Sequence, residues 1–130
     1  MITSVDALLL IVKDLDRCAA FYGDQLGLKV KARETGTVSF QLGLQDLTLM
    51  SFDYAEKRSS AGLVGPTKSA AHRTVFSVFV DDADKEYTSL KANGVKFVRP
   101  PTTNAAGQRI ATFSDPEGNL WEISHFVVSA

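Results

Sequence analysis

The chain repeats itself. Ile11-Val12-Lys13-Asp14 is echoed by Phe79-Val80-Asp81-Asp82 at an offset of 68, and Gly27-Leu28-Lys29-Val30 by Gly94-Val95-Lys96-Phe97 at an offset of 67. Identity between the halves is low, yet each reads as apolar strand, helix, glycine and three further strands. A period this long is no solenoid repeat, whose units run about 20–50 residues. It predicts an α+β fold: two βαβββ modules forming a curved mixed sheet, with the helices on its convex side. The 130 residues suffice for one domain with a real core. The reading is therefore a single domain over 1–130, with module one at about 4–53 and module two at about 74–128.

Local patterns support each element. Val5 to Lys13 is an apolar, branched run of strand length. Asp14 is placed to cap a helix, and Leu15, Cys18, Ala19, Phe21, Tyr22 and Leu26 recur at helical spacing up to the stop at Gly27. Strands are predicted over 29–33, 37–42 and 47–52. In module two a strand over 74–80 leads to cap candidates Asp81 and Asp82 and a helix over 83–92. Strands follow over 95–99, closed by Pro100-Pro101, then over 109–114 and 120–128. Between the modules, residues 54–73 are rich in Ser, Ala, Gly and Lys and lack a sustained period. A connection that long tends to be either functional or mobile, so the segment reads as a linker or lid.

Composition narrows the function. Apolar residues make up 45% and charged residues 22%, and the net charge is −1. No basic footprint for nucleic acid is present. No run approaches the roughly 18 apolar residues of a membrane span, and the run from Ala7 to Val12 is too short for a signal peptide. A lone cysteine, Cys18, leaves no intrachain disulfide and no multi-cysteine zinc site. The expectation is a cytoplasmic protein that engages neither nucleic acid nor membrane.

Two motifs carry a resemblance. Asp14-Leu15-Asp16-Arg17-Cys18-Ala19-Ala20-Phe21-Tyr22 leads to Leu26-Gly27-Leu28, and Asp115-Pro116-Glu117-Gly118-Asn119-Leu120-Trp121-Glu122-Ile123 stands near the end. In this order they resemble the vicinal oxygen chelate superfamily of glyoxalase I, extradiol dioxygenases and bleomycin-binding proteins, over residues 4 to 127. Most of both motifs is structural: helix anchoring by Phe21 and Tyr22, and turn chemistry at Asp115, Pro116, Gly118 and Asn119. Fold alone does not settle function.

Glu122 is the exception. It alternates with Trp121 and Ile123, and a mid-strand carboxylate is costly unless paired, wet or metal-bound. In metal-using members of the family the glutamate of this motif is a ligand, with His or Gln near the start of each module's first strand. Counting back seven residues from the capping aspartates gives Ala7 and Val75, which cannot bind a metal. The remaining place falls near Thr48 or Met50, poor donors for a hard divalent ion. His125, Asp6 and His72 all have the wrong strand parity. No metal and no cofactor are expected.

What remains is a mostly apolar cup with a few polar groups, the usual make-up of a small-molecule site. Its expected lining includes Ile11, Gln41, Met50, Ser77, Phe79, Arg109, Leu120, Glu122 and Ser124, with Ala7, Leu9, Ser39 and Thr48 nearby; Arg109 reads either as a solvated strand-end charge or as a partner for Glu122 or an anionic ligand. The resemblance then implies a metal-free protein that binds a small, largely apolar or aromatic compound, and a homodimer. The alternatives are a metal-dependent lyase or isomerase of the glyoxalase I type, a metal-free enzyme with Glu122 as its catalytic base, or an interaction module whose cup is vestigial.

Overall fold

The computed structural model describes residues 3–57 and 74–127. They fall into two compact units divided between Lys68 and Ser69. The first contains β1 (Ala7–Val12), α1 (Leu15–Ala20), a π-helical turn (Phe21–Gln25), β2 (Lys29–Glu34), β3 (Thr37–Leu42), β4 (Gln45–Ser51) and the short α2 (Phe52–Ala55). The second contains β5 (Val75–Phe79), α3 (Ala83–Ala92), β6 (Lys96–Thr103), β7 (Gln108–Ser114) and β8 (Leu120–Phe126). The sheets have orders β1-β4-β3-β2 and β5-β8-β7-β6. In each, the first strand runs parallel to the last and the other pairs are antiparallel. The repeat seen in the sequence is thus a repeat of topology.

Helix capping follows the aspartates. Asp14 accepts from Arg17 N at 3.1 Å, and Asp82 accepts from Asp84 N and Lys85 N at 3.0 and 3.1 Å. These bonds satisfy amides that the first helical turn leaves without partners. The predicted helix over 15–26 changes character at Phe21. There Leu26 N bonds the carbonyl of Phe21, five residues back, at 3.0 Å, and the turn widens from α to π.

Strand alternation sends one face of each sheet to a helix. In the first unit Leu10, Val12, Val38, Phe40, Leu47 and Leu49 are buried together with Cys18 and Tyr22. Cys18 is a packing residue there, with no exposed thiol. In the second unit Ala83, Val95, Ala111, Phe113, Trp121 and Ile123 are buried. Phe76 lies 4.7 Å from Trp121 and Phe97 lies 4.6 Å from Tyr87, ring centre to ring centre.

Most strand ends shift by one or two residues from expectation, and two differences have a clear cause. β6 does not stop at Pro100-Pro101 but continues to Thr103. It is an edge strand, and its register jumps from Arg99 opposite Thr112 to Thr102 opposite Ile110. Both prolines sit in that irregularity, where the missing N–H donors cost nothing. The segment after β4 begins as a helix, with Ser51 capping α2 by accepting from Tyr54 N at 3.2 Å. Of the expected linker or lid, residues 58–73 lie outside the described residues.

Candidate functional site

Each sheet has a second face, which its helix does not cover. In the first unit the register aligns Ala7, Asp46, Gln41 and Lys29 in one cross-strand row. Leu9, Thr48, Ser39 and Ala32 form the next row, and Ile11, Met50 and Thr37 the one beyond. Ser39 Oγ and Thr48 Oγ1 are 2.9 Å apart and share a hydrogen bond. Ile11, Gln41 and Met50 therefore stand on one face, with Met50 buried and Gln41 exposed. Asp46, which the sequence reading passed over, lies beside Ala7 and takes a 2.7 Å ion pair from Lys31. Its signal was available, since it alternates with Leu47 and Leu49.

The second unit places Ser77, Glu122, Thr112 and Arg99 in a single row. Ser77 Oγ donates to Glu122 Oε1 at 2.7 Å. On one side of this row lie Val75, Leu120, Ser114 and Lys96, and on the other Phe79, Ser124, Ile110 and Thr102. Phe79 is 73% exposed and Phe126 is 56% exposed, with ring centres 6.0 Å apart. Ser124 is fully buried and accepts from Gln108 Nε2 at 3.1 Å. Ser77, Phe79, Leu120, Glu122 and Ser124 thus share the face that the helix does not cover, where Phe79 and Ser77 are exposed and Ser124 is buried.

Arg109 is not part of that group. Its Cα partner is His125, which puts both on the face that α3 covers. The guanidinium donates to both carboxylate oxygens of Asp84, at 3.0 to 3.3 Å, and to Thr103 Oγ1 at 3.2 Å. This hydrogen bond, the largest influence, holds the Asp84 carboxyl below its ordinary value and Arg109 above its own. Of the alternatives open in the sequence, the pairing with Glu122 is excluded, because alternation along β7 turns Arg109 away from it and toward Asp84.

His125 is also accounted for on the helix side. Its Nδ1 accepts from the backbone N–H of Ala83 at 2.8 Å, which supplies a partner to the first amide of α3. The accepting Nδ1 requires the ring proton on Nε2.

The two open faces can be compared position by position. Leu9 opposes Thr48 as Ser77 opposes Glu122. Thr48, rather than Met50, is therefore the first unit's counterpart of Glu122. Among the described residues no three His, Cys, Asp or Glu side chains gather to hold a metal ion. A groove of about 520 Å³ does open where β5 runs into α3, between Phe79, Asp82, Lys85 and Ser89. It shares Phe79 with the open face but does not include Glu122.

Known proteins agree with this architecture. The family model of the Glyoxalase/Bleomycin resistance protein/Dioxygenase superfamily matches residues 4–123. The uncharacterized protein YraH of Bacillus subtilis (strain 168) is 31% identical over 120 residues, covering 88% of this chain and 91% of its own. A crystal structure of a glyoxalase/bleomycin resistance protein/dioxygenase from Nocardioides aligns with TM-score 0.85 and 23% identity, over 100% of this chain and 87% of that one. Lactoylglutathione lyase from Agrobacterium tumefaciens aligns with TM-score 0.73 and 26% identity, over 94% of this chain and 92% of its own. Sequence match and topology converge, and the chain belongs to the glyoxalase/bleomycin resistance protein/dioxygenase superfamily.

Proposed function

We propose that the protein binds a small, largely apolar or aromatic compound on the open face of its second sheet, and that it does so without a metal. One observation carries this reading. Exposed Val75 and Phe79 occupy the rows on either side of Glu122, with exposed Phe126 packed beside Phe79 one row further on, and a serine hydroxyl holds one oxygen of the Glu122 carboxylate. Exposed apolar side chains around a few convergent polar groups suit an aromatic ligand that also makes one or two hydrogen bonds.

The donor set fits a divalent ion poorly. Around Glu122 the cross-strand neighbours are the hydroxyls of Ser77 and Thr112, and the corresponding row of the first sheet offers Thr48 and Ser39. Neutral hydroxyls around one carboxylate are weak competition for water on a hard cation. Homodimeric assembly is supported by the family resemblance, and light scattering against the 14.1 kDa chain mass tests it.

The test is isothermal titration calorimetry with a panel of planar aromatic compounds, in the presence of a chelator. Saturable binding that weakens at least tenfold in Phe79→Ser is expected. Silence across the panel overturns the reading. Calorimetry is preferred to intrinsic fluorescence because Trp121 is buried on the helix side and is shielded from the open face.

A second reading, a metal-dependent lyase, draws on the likeness to the Agrobacterium lactoylglutathione lyase. It predicts metal uptake that Glu122→Gln abolishes. Unchanged uptake in that variant rules it out.

A further inference from the structure

The open face of the second sheet is electrically asymmetric. Glu122 lies on β8, next to the β5 edge. Two strands away, on the β6 edge, Arg99 shares its row and Lys96 stands in the row beside it. Arg99 reaches this face through the register shift between Phe97 and Arg99. Without that extra residue in β6, alternation from the helix-facing Phe97 would turn Arg99 toward α3. Both cations are exposed, and neither makes a hydrogen bond or ion pair with a described residue. Glu122 likewise keeps Oε2 without a described donor, since Ser77 occupies only Oε1.

Opposite charges on one row would ordinarily be expected to meet. Here Thr112 and its strand stand between them. Two strand spacings put the Glu122 and Arg99 backbones about 10 Å apart. The face therefore runs from exposed aromatic rings at the β5 side, through a carboxylate with an open oxygen, to a pair of cations at the β6 edge. Each station asks for a different group on a ligand: a ring, a hydrogen-bond-donating amine, and an anion.

We infer that this face takes an aromatic zwitterion, with an amine directed at Glu122 and a carboxylate held by Arg99 and Lys96. The inference rests on the reading that the face binds an aromatic compound, and it adds the ligand's charge pattern. Arg99 suits a carboxylate because its guanidinium presents paired donors in a planar fork. Lys96 adds a mobile point charge at the same edge. Because all three side chains are at least partly open to water, the charges serve selectivity and orientation more than raw affinity.

The experiment uses four soluble naphthalene probes: one with an amine, one with a carboxylate, one with both on a single side arm, the amine nearer the ring and the carboxylate beyond it, and one with neither. Each is titrated by calorimetry into the full chain, into Glu122→Gln and into the double variant Lys96→Gln, Arg99→Gln. Far-ultraviolet circular dichroism checks that each variant is folded. The zwitterion is expected to bind at least tenfold tighter than the uncharged probe. Glu122→Gln should remove only the advantage conferred by the amine, and the double variant only that conferred by the carboxylate. Equal binding of all four probes to the full chain overturns the inference and leaves the aromatic-binding reading standing. Binding of none of them overturns both.

Discussion

Arg109 and Asp84 illustrate how much one step of strand alternation decides. Had β7 been offset by one residue, the guanidinium would stand on the face that carries Glu122. Instead it holds Asp84 at the start of α3. The bond keeps the Asp84 carboxyl below its ordinary value of 3.8. A carboxyl lowered in the folded state adds stability above its unfolded value, and that stability is lost as pH falls through the folded value. Asp84→Asn should therefore lower the urea midpoint at neutral pH, and the difference from the parent should vanish in acid well below 3.8. Both groups are exposed to solvent, so the effect is small and salt-sensitive; an equal difference at both pH values would contradict it. Glycine supplies a sharper case. Gly36 has φ +84, and a Cβ there would lie 2.6 Å from Tyr54 Cβ on α2. Gly43 has φ +63 with nothing within 4 Å. Gly43→Ala should cost about 1 kcal/mol for the backbone alone. Gly36→Ala should cost about 2–4 kcal/mol, because overpacking adds to it. Equal denaturation midpoints for the two variants would refute the contact with Tyr54.

At the scale of elements, the β7–β8 hairpin is the most legible part of the chain. Its turn is written in Asp115-Pro116-Glu117-Gly118-Asn119, and the structure shows why. Asp115 is 4% exposed, and its Oδ1 accepts from Glu117 N and Asn119 N at 2.9 and 2.8 Å while Oδ2 accepts from Asn119 Nδ2 at 2.7 Å. Asp115→Ala strands those donors and should destabilise the protein by about 2–3 kcal/mol, read as a lower denaturation midpoint. Asp115→Asn, which keeps one acceptor, should recover part of the loss. Once this turn is placed, counting outward pairs Ser114 with Leu120, Thr112 with Glu122 and Arg109 with His125. The position of Arg109 was thus present in the sequence, through register rather than through residue type. β6 was less legible. Its two register shifts break any count along the strand, so neither its continuation past Pro100-Pro101 nor the placement of Arg99 on the open face follows from alternation. The widening of the first helix at Phe21 is equally silent, because helical spacing of apolar residues reads the same for a last turn that is α or π.

For the whole molecule, the repeat of βαβββ order carried the fold, because each half must bury one face of its own sheet beneath its own helix. The same repeat makes the chemical difference between the halves visible. Equivalent register positions hold a hydroxyl, Thr48, in one sheet and a carboxylate, Glu122, in the other. The two motifs announced the family but not the ligand. The proposed ligand choice rests on exposed side chains such as Phe79, Lys96 and Arg99, and neither motif includes them.

The proposed binding at Glu122 requires no metal. Elemental mass spectrometry on protein purified without an affinity tag or chelator decides this, repeated after incubation with zinc, nickel, manganese or iron(II) and desalting. Metal far below one ion per chain is expected before and after incubation. Close to one ion per chain, lost in Glu122→Gln, would contradict it and give the lyase reading first place.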